Sequence, residues 1–273
     1  MKDLVQNRQR MTLGQKLKLA SLAVKENGVQ WTLLLGVYGA ASAVADRAFG
    51  GMQRLRAGKH IPGMNSREMN RAIWESWNWD GGGDEWTPSP EWKESLMRCI
   101  LRPAIPQGST VIEIGPGAGR WTGEILKLCG NYTAYDISRT CVELCSKQFA
   151  DQKHATFQVT DGCSLPGAQD GATDVVWSFD VFVHINAEDV AVYLKEIHRV
   201  LKRGGHAVLH HGSKAGELGG WRSNLTTARM RELAAEAGLE VISQVDGWQD
   251  GDVRHDAGLY EDIITTLRKP AHG

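Results

Sequence analysis

Apolar positions along the chain follow two regimes. From about Pro90 onward, short β-branched runs alternate with stretches whose apolar residues recur every three or four positions. Thr110–Ile114, Tyr132–Tyr135, Thr156–Val159 and Thr173–Ser178 read as strands, Gly204-Gly205 opens another to about His211, and Leu239–Asp246 and Asp262–Lys269 complete the set. Helices are predicted over Glu91–Arg102, stopped by the break Pro103–Ser109, then over about Arg120–Leu128, Arg139–Ala150, Glu188–Leu201 and Thr226–Gly238. In Glu188–Leu201 the residues Val190, Leu194, Ile197 and Leu201 stand at helical spacing. Strands alternating with helices of this length predict a parallel α/β sheet covered on both faces.

Upstream the pattern changes. Gly28–Ala45 is nearly free of charge and is dominated by Trp31, Leu33, Leu34, Leu35, Val37 and Tyr38. Its length is at the lower limit for a membrane span, and it carries Gly28, Gly36, Gly39, Gln30 and Ser42. A helix packed on a core or partner, a helix lying in a membrane interface and a true span all stay open. A signal peptide is not expected, because the apolar run follows more than twenty polar and basic residues. Between Ser66 and Trp92 the chain combines five tryptophans with three consecutive glycines and two prolines, which is loop chemistry with large apolar anchors, pinned to a core or forming a lid over an apolar ligand. The resulting division is a basic helical extension over 1–73, a Trp/Gly-rich loop or lid over 74–92, and the α/β domain over 93–273.

Composition sharpens this division. The 273 residues carry 31 Lys+Arg against 32 Asp+Glu, with 42% hydrophobic and 23% charged residues, the balance of a globular chain. The charge is uneven: residues 1–73 net about +8 and the remainder about −9. Near-neutral overall charge argues against binding nucleic acid over the whole surface. The five cysteines, at 99, 129, 141, 145 and 163, form no CxxC pair and no zinc pattern, so reduced thiols in a cytoplasmic compartment are expected, with membrane association through residues 1–60 as the open variant.

The sharpest local signal is the run from Val111 to Thr122, VIEIGPGAGRWT. A strand enters Gly115-Pro116-Gly117-Ala118-Gly119 and a helix follows, the arrangement that lets a backbone pass close beneath a ligand at a sheet edge. The dinucleotide GxGxxG pattern fails, because Arg120 stands three residues after Gly117. Glu113 ends the strand, where an acid needs donors, from a ligand amine or backbone N–H groups.

Here the sequence resembles the class I S-adenosylmethionine-dependent methyltransferases, whose E/DxGxGxG motif is matched at every position by Glu113 to Gly119. The resemblance extends over about residues 90–269. It implies a Rossmann-like, seven-stranded, mostly parallel sheet with helices on both faces, here with a mainly helical N-terminal extension. It also implies S-adenosylmethionine as cofactor and S-adenosylhomocysteine as product, held by Glu113, Gly115, Gly117 and Gly119. Asp136, followed by Ile137, would bond the ribose hydroxyls, and Asp161, with Gly162 and Cys163, would meet the adenine. Asp136 also fits a helix cap, a role that Ser138 can fill instead, and Asp161 a turn residue. Ser178 and Phe179, in WSFDVFVHI, match the segment bordering the methionine moiety, and Trp86 or its neighbours would close the cleft from the N-terminal side.

Methyl transfer to a hydroxyl requires alignment and removal of a proton. His184 and Asp180, after the fourth strand, and His210 or His211, ending the fifth, are the candidate bases; strand alternation sends the two histidines to opposite faces without saying which faces the cleft. Trp221, Arg222 and Asn224 offer a stacking face, an anion fork and an amide for the acceptor, or a capping loop in which Ser223 or Asn224 caps. No metal is expected. The expected reaction is O-methylation of a small-molecule, sugar or glycan hydroxyl. The alternatives are a lipid or quinone-type acceptor at a membrane, N-methylation of a small molecule, and a non-catalytic cofactor-binding subunit. No (N/D/S)PPY tetrad follows the fourth strand, so a nucleic-acid acceptor is not expected. The extension would serve as a peripheral membrane contact or as a means of self-association.

Overall fold

A computed structural model describes residues 12–215, 222–258 and 260–271. The chain divides into two compact units, Met1–Ile61 and Pro62–Gly273, so the division falls upstream of residue 73.

In the first unit, helix α1 spans Leu13–Lys59. Thr12 opens it with a capping box shared with Gln15, and His60, in the left-handed conformation at φ 51°, closes it. The helix is interrupted at Gly28, whose φ of 82° and ψ of 169° lie outside the helical region. None of its residues is buried.

The second unit begins with α2 (Arg67–Ser76), capped by Ser66, and α3 (Pro90–Leu96), capped by Ser89 with Pro90 in its first turn. A π-helical turn, Met97–Leu101, joins α3 to the short α4 (Arg102–Ala104). The helix therefore runs past Pro103, where a break was expected. The wider turn lies where Pro103 brings no N–H, in keeping with a local relaxation of the helical ladder.

The α/β alternation follows: β1 (Thr110–Ile114), α5 (Thr122–Leu128), β2 (Asn131–Asp136), α6 (Arg139–Gln148), β3 (Ala155–Val159), β4 (Thr173–Ser178), α7 (Ala187–Val200), β5 (Leu201–His211), α8 (Thr227–Glu236), β6 (Glu240–Val245), β7 (Gly247–Asp250), β8 (Val253–Asp256) and β9 (Ile263–Arg268). Seven strands form one sheet in the order β3-β2-β1-β4-β5-β9-β6. All neighbours are parallel except β9, which is antiparallel to both β5 and β6. β7 and β8 form a separate hairpin to which the sequence reading assigns no element, although Asp250-Gly251 is a hairpin signal.

Alternation along the strands builds two cores. Ile112, Ile114, Val176 and Leu209 pack with Val190, Leu194 and Ile197 of α7 and Met230 of α8. Val111, Val175, Trp177 and Val208 pack on the other face with Leu96 and Ile125. Trp248 of the hairpin joins this second core, donating from Nε1 to Ser95 at 2.8 Å with its ring 5.5 Å from that of Trp92. Strand order reverses between β1 and β4, so the crevice at their carboxyl ends is the natural ligand position.

Candidate active site

At those carboxyl ends lies a cavity of about 510 Å³. Gly115, Pro116 and Gly117, leaving β1, form one wall. Gly115 has a φ of 70° and Gly117 of 57°, conformations that favour glycine. A β-carbon on Gly115 would run into Val181, and one on Gly117 would lie 3.0 Å from Cζ3 of Trp79. Gly119, also at positive φ, instead makes room for Phe149 behind the turn, away from the cavity lining.

Asp136 ends β2 at the cavity wall and is nearly buried. Its carboxylate accepts from Gly117 N at 3.1 Å and Ser138 N at 2.8 Å. Burial raises its pKa to about 6, against the pull of those backbone donors. Ser138 caps α6, leaving Asp136 free of that task. Ile137 and Gly162 line the same end, and Arg67 of α2 reaches it while pairing with Asp189 Oδ1 at 2.6 Å.

Several expected ligand contacts lie elsewhere. Glu113 faces the interior, where it accepts from Thr122 Oγ1 at 2.8 Å and from the Tyr132 hydroxyl. These two hydroxyls supply the donors that a ligand amine or backbone N–H groups were expected to supply, and Glu113 is outside the cavity lining. Burial raises its pKa to about 7, with the two hydroxyls pulling the other way. Asp161 folds back on its own turn, accepting from Cys163 N at 3.0 Å and Ser164 N at 2.9 Å. Partial burial raises its pKa, but these donors outweigh it and bring the carboxyl to about 2. Cys163 is buried and outside the lining. Ser178 bonds Ile114 O at 2.8 Å and ties β4 to β1, whereas its neighbour Phe179 lines the cavity.

The opposite end is aromatic. Trp74 of α2 lies amid Trp77, Trp79 and Trp86, with ring centroids 5.7, 5.9 and 6.0 Å away. All four line the cavity, Trp86 together with three partners that were not individually singled out. The clustering of tryptophans was the sequence signal for them; Arg67 and Asn70 carried none.

His184 lies on the cavity wall with its ring 5.1 Å from that of Trp74. Its backbone carbonyl accepts from Asn65 and Asn70, each at 3.0 Å, and its N–H donates to Val181 O at 2.9 Å. Asp180, at φ 61°, also lines the cavity and accepts from Arg120 Nη1 at 2.5 Å. His210 Nδ1 accepts from Asp180 N and lies 3.1 Å from Asp180 Oδ1. Burial raises the Asp180 pKa, but His210 and Arg120 override it and hold the carboxyl well below its usual range. Asp180 is therefore a weak base. His210 is fully buried, stacked on Phe179 at 4.1 Å, with Nε2 3.7 Å from Asp262 Oδ2. His211 faces away, its Nε2 2.6 Å from Thr265 Oγ1, and burial lowers its pKa to about 4. Neither lines the cavity; alternation and burial turn both into structural groups.

Arg222 lines the cavity, paired with Asp262 at 2.7 Å and lying 4.5 Å over the Tyr260 ring. Asn224 is used elsewhere: its Oδ1 accepts from Ala187 N at 2.7 Å, capping the start of α7. Trp221 lies outside the described residues.

The architecture finds counterparts among known proteins. Residues 112–209 match the family model described as a methyltransferase domain. Residues 112–209 thus have the pattern of a methyltransferase domain, in keeping with the resemblance read from the sequence. A phosphoethanolamine N-methyltransferase of Triticum aestivum is 34% identical over 101 residues, covering 36% of this chain and 20% of the relative. The chain thus spans about a fifth of the length of that curated relative. A methyltransferase-fold chain from the Haloferax volcanii complex with the Trm112 methyltransferase activator aligns with a TM-score of 0.58 at 22% identity, over 75% of this chain and 99% of that one. The N-methyltransferase NodS of Bradyrhizobium japonicum, solved with S-adenosylhomocysteine, aligns with a TM-score of 0.54 at 19% identity, over 75% and 96%. These two likenesses concern the fold. The methyltransferase cofactor fits the residues present: the glycine cradle admits close approach, and Asp136 keeps lone pairs on both oxygens for ribose hydroxyls.

Proposed function

We propose that the chain is an S-adenosylmethionine-dependent methyltransferase acting on a ring-containing small molecule at a hydroxyl, with His184 as the base. One observation carries this reading: His184 stands on the wall of the cavity whose other end is built from Gly115, Gly117 and Asp136.

When bound, S-adenosylmethionine supplies an electrophilic methyl group on sulfur. The protein's own residues do the remainder. Asp136 binds the ribose hydroxyls and fixes the cofactor's register along β2. The indoles of Trp74, Trp77, Trp79 and Trp86 offer flat apolar faces to an acceptor ring and exclude water from the reacting centre. Asn65 and Asn70 hold the His184 backbone, so the imidazole is presented from a fixed turn. The imidazole takes the hydroxyl proton as the acceptor oxygen becomes nucleophilic. Among the other candidates, Asp180 is too weakly basic and His210 and His211 are enclosed, which favours His184.

An amine acceptor is the second reading. Four indoles around one space suit an ammonium group through their π faces, and the wheat relative is named for N-methylation of phosphoethanolamine. The test is S-adenosylhomocysteine release with matched phenol, alcohol and amine panels, using wild type and His184→Asn. Turnover of phenols or alcohols that collapses in His184→Asn supports the proposal. Turnover confined to amines, or hydroxyl turnover insensitive to His184, overturns it.

A further inference from the structure

The first unit has its own chemistry, independent of the methyltransferase reading. Helix α1 contains an 18-residue window of mean hydropathy 1.3 and is long and apolar enough to cross a membrane. None of that window is buried within the protein. From Val29 to Ala45 there is no charged residue, and Val29, Leu33, Leu34, Leu35, Val37 and Tyr38 are all exposed. At helical spacing these side chains cover about two thirds of the circumference, and the remaining face carries the small uncharged residues Thr32, Gly36, Gly39 and Ala43. A water-facing helix would show a polar side, and a helix resting on a surface would show one apolar stripe. A helix with large apolar side chains over most of its girth and no charge on any side suits an apolar solvent.

The dimensions agree. The 17 residues from Val29 to Ala45, at about 1.5 Å each, extend about 26 Å, against a hydrocarbon thickness of about 30 Å, and flanking long side chains make up the difference. One polar group in the run is contained: Thr32 Oγ1 donates to Gly28 O at 2.9 Å, within the helix.

Charge complements lipid at both ends. Lys16, Lys18 and Lys25 precede the run with one acid, Glu26, and Arg47, Arg54, Arg56 and Lys59 follow it with one acid, Asp46, so each flank is net basic. In the part before Gly28, Leu13, Leu17, Ala20 and Val24 share one face with Lys16 beside it, while Lys18 and Lys25 lie across from it and the exposed Leu19 and Leu22 also lie off that face. That part therefore mixes exposed apolar and basic side chains, a composition suited to headgroup level. Gly28, outside the helical conformation, is the joint between the two parts.

We propose that Val29–Ala45 spans a phospholipid bilayer whose headgroups include anionic lipid, with the basic segments at its two faces and Gly28 as the turn between the surface-lying and spanning parts of α1.

The test reconstitutes the full chain into sealed phosphatidylcholine–phosphatidylglycerol vesicles. Wild type is compared with a variant carrying Leu34→Asp and Val37→Asp, and S-adenosylhomocysteine binding or circular dichroism is measured on both as a folding control. Leu34 and Val37 are exposed, so the substitutions leave the second unit folded. The expected result is that wild type floats with vesicles and stays with them through high salt and alkaline carbonate. In sealed vesicles trypsin reaches the basic residues on one side of the run only, and detergent exposes the other. The variant is recovered in the vesicle fraction at about a tenth of the wild-type level or less. Release of wild type by salt or carbonate, cleavage on both sides in intact vesicles, or a detergent-free soluble assembly through α1 would each overturn the proposal.

Discussion

Arg120 Nη1 lies 2.5 Å from Asp180 Oδ2, and the pair forms part of the floor of the cavity. The guanidinium is almost wholly enclosed, donates also to Thr87 Oγ1 at 2.9 Å, and rests 4.6 Å over the Trp121 ring. One ion pair thus joins the loop before α3, the start of α5 and the end of β4. Asp180→Asn keeps a residue that tolerates φ 61° and removes only the charge. Leaving Arg120 without its partner is expected to cost about 3 kcal/mol in urea unfolding. A loss below about 0.5 kcal/mol would show that solvent already weakens the pair.

His184 and His211 are expected to behave differently. His184→Asn should lower kcat by about 10²–10⁴ while S-adenosylhomocysteine Kd stays within about threefold. His211→Asn should lose about 1–2 kcal/mol of stability with its bond to Thr265 and leave kcat of the folded protein near wild type. Steady-state kinetics and denaturation of both variants separate the roles, and the reverse pattern would exchange them.

Cofactor affinity should depend on pH through Asp136. Its carboxyl titrates at about 6 in the free protein, and the ionised form is the better acceptor for two ribose hydroxyls. Affinity for S-adenosylhomocysteine should therefore rise with pH, by about tenfold between pH 5 and pH 7. Asp136→Asn should bind about ten- to hundredfold more weakly at pH 7 and lose this dependence. Calorimetric titration at the two pH values gives the answer, and equal wild-type affinities at both would remove Asp136 from the ribose site.

Glu113 gives a pH signature in stability. Its folded pKa of about 7 lies above the ordinary 4.5, so the folded state holds the proton more tightly. Its contribution is present in full below about pH 4.5 and is lost as pH rises through about 7. The loss amounts to about 3 kcal/mol on an order-of-magnitude scale. Glu113→Gln should remove this slope: wild type gains stability relative to the variant as pH is lowered from 8 to 5. A constant difference across that range would show that Glu113 is ionised throughout.

Much of the second unit was legible because its signals are local. The β-branched runs located the strands, and Gly115 and Gly117 announced positive φ through residue type alone. Asp136 was identifiable as a cavity residue because Ser138 was available to cap α6. What escaped was fixed by contacts distant in sequence. Glu113 finds its donors on α5 and β2, which no spacing rule connects. Asn224 reaches back 37 residues to cap α7. Alternation separated His210 from His211, yet both are enclosed because Phe179 covers one and Thr265 meets the other. The extent of α1 was hidden by Gly28, which reads as a helix boundary and acts as an interruption within one long element.

The tryptophan wall has a consequence for how this protein diverges from its relatives. Arg67, Asn70, Trp74, Trp79 and Trp86 precede the family-matched residues 112–209, and Arg222 and Tyr260 follow them. The glycine turn, Asp136 and His184 thus lie within the matched segment, whereas the tryptophan end of the cavity is encoded outside it. Substitution among those tryptophans can reshape that end of the cavity without touching the glycine turn, so likeness in the matched segment carries no information about the shape of that end.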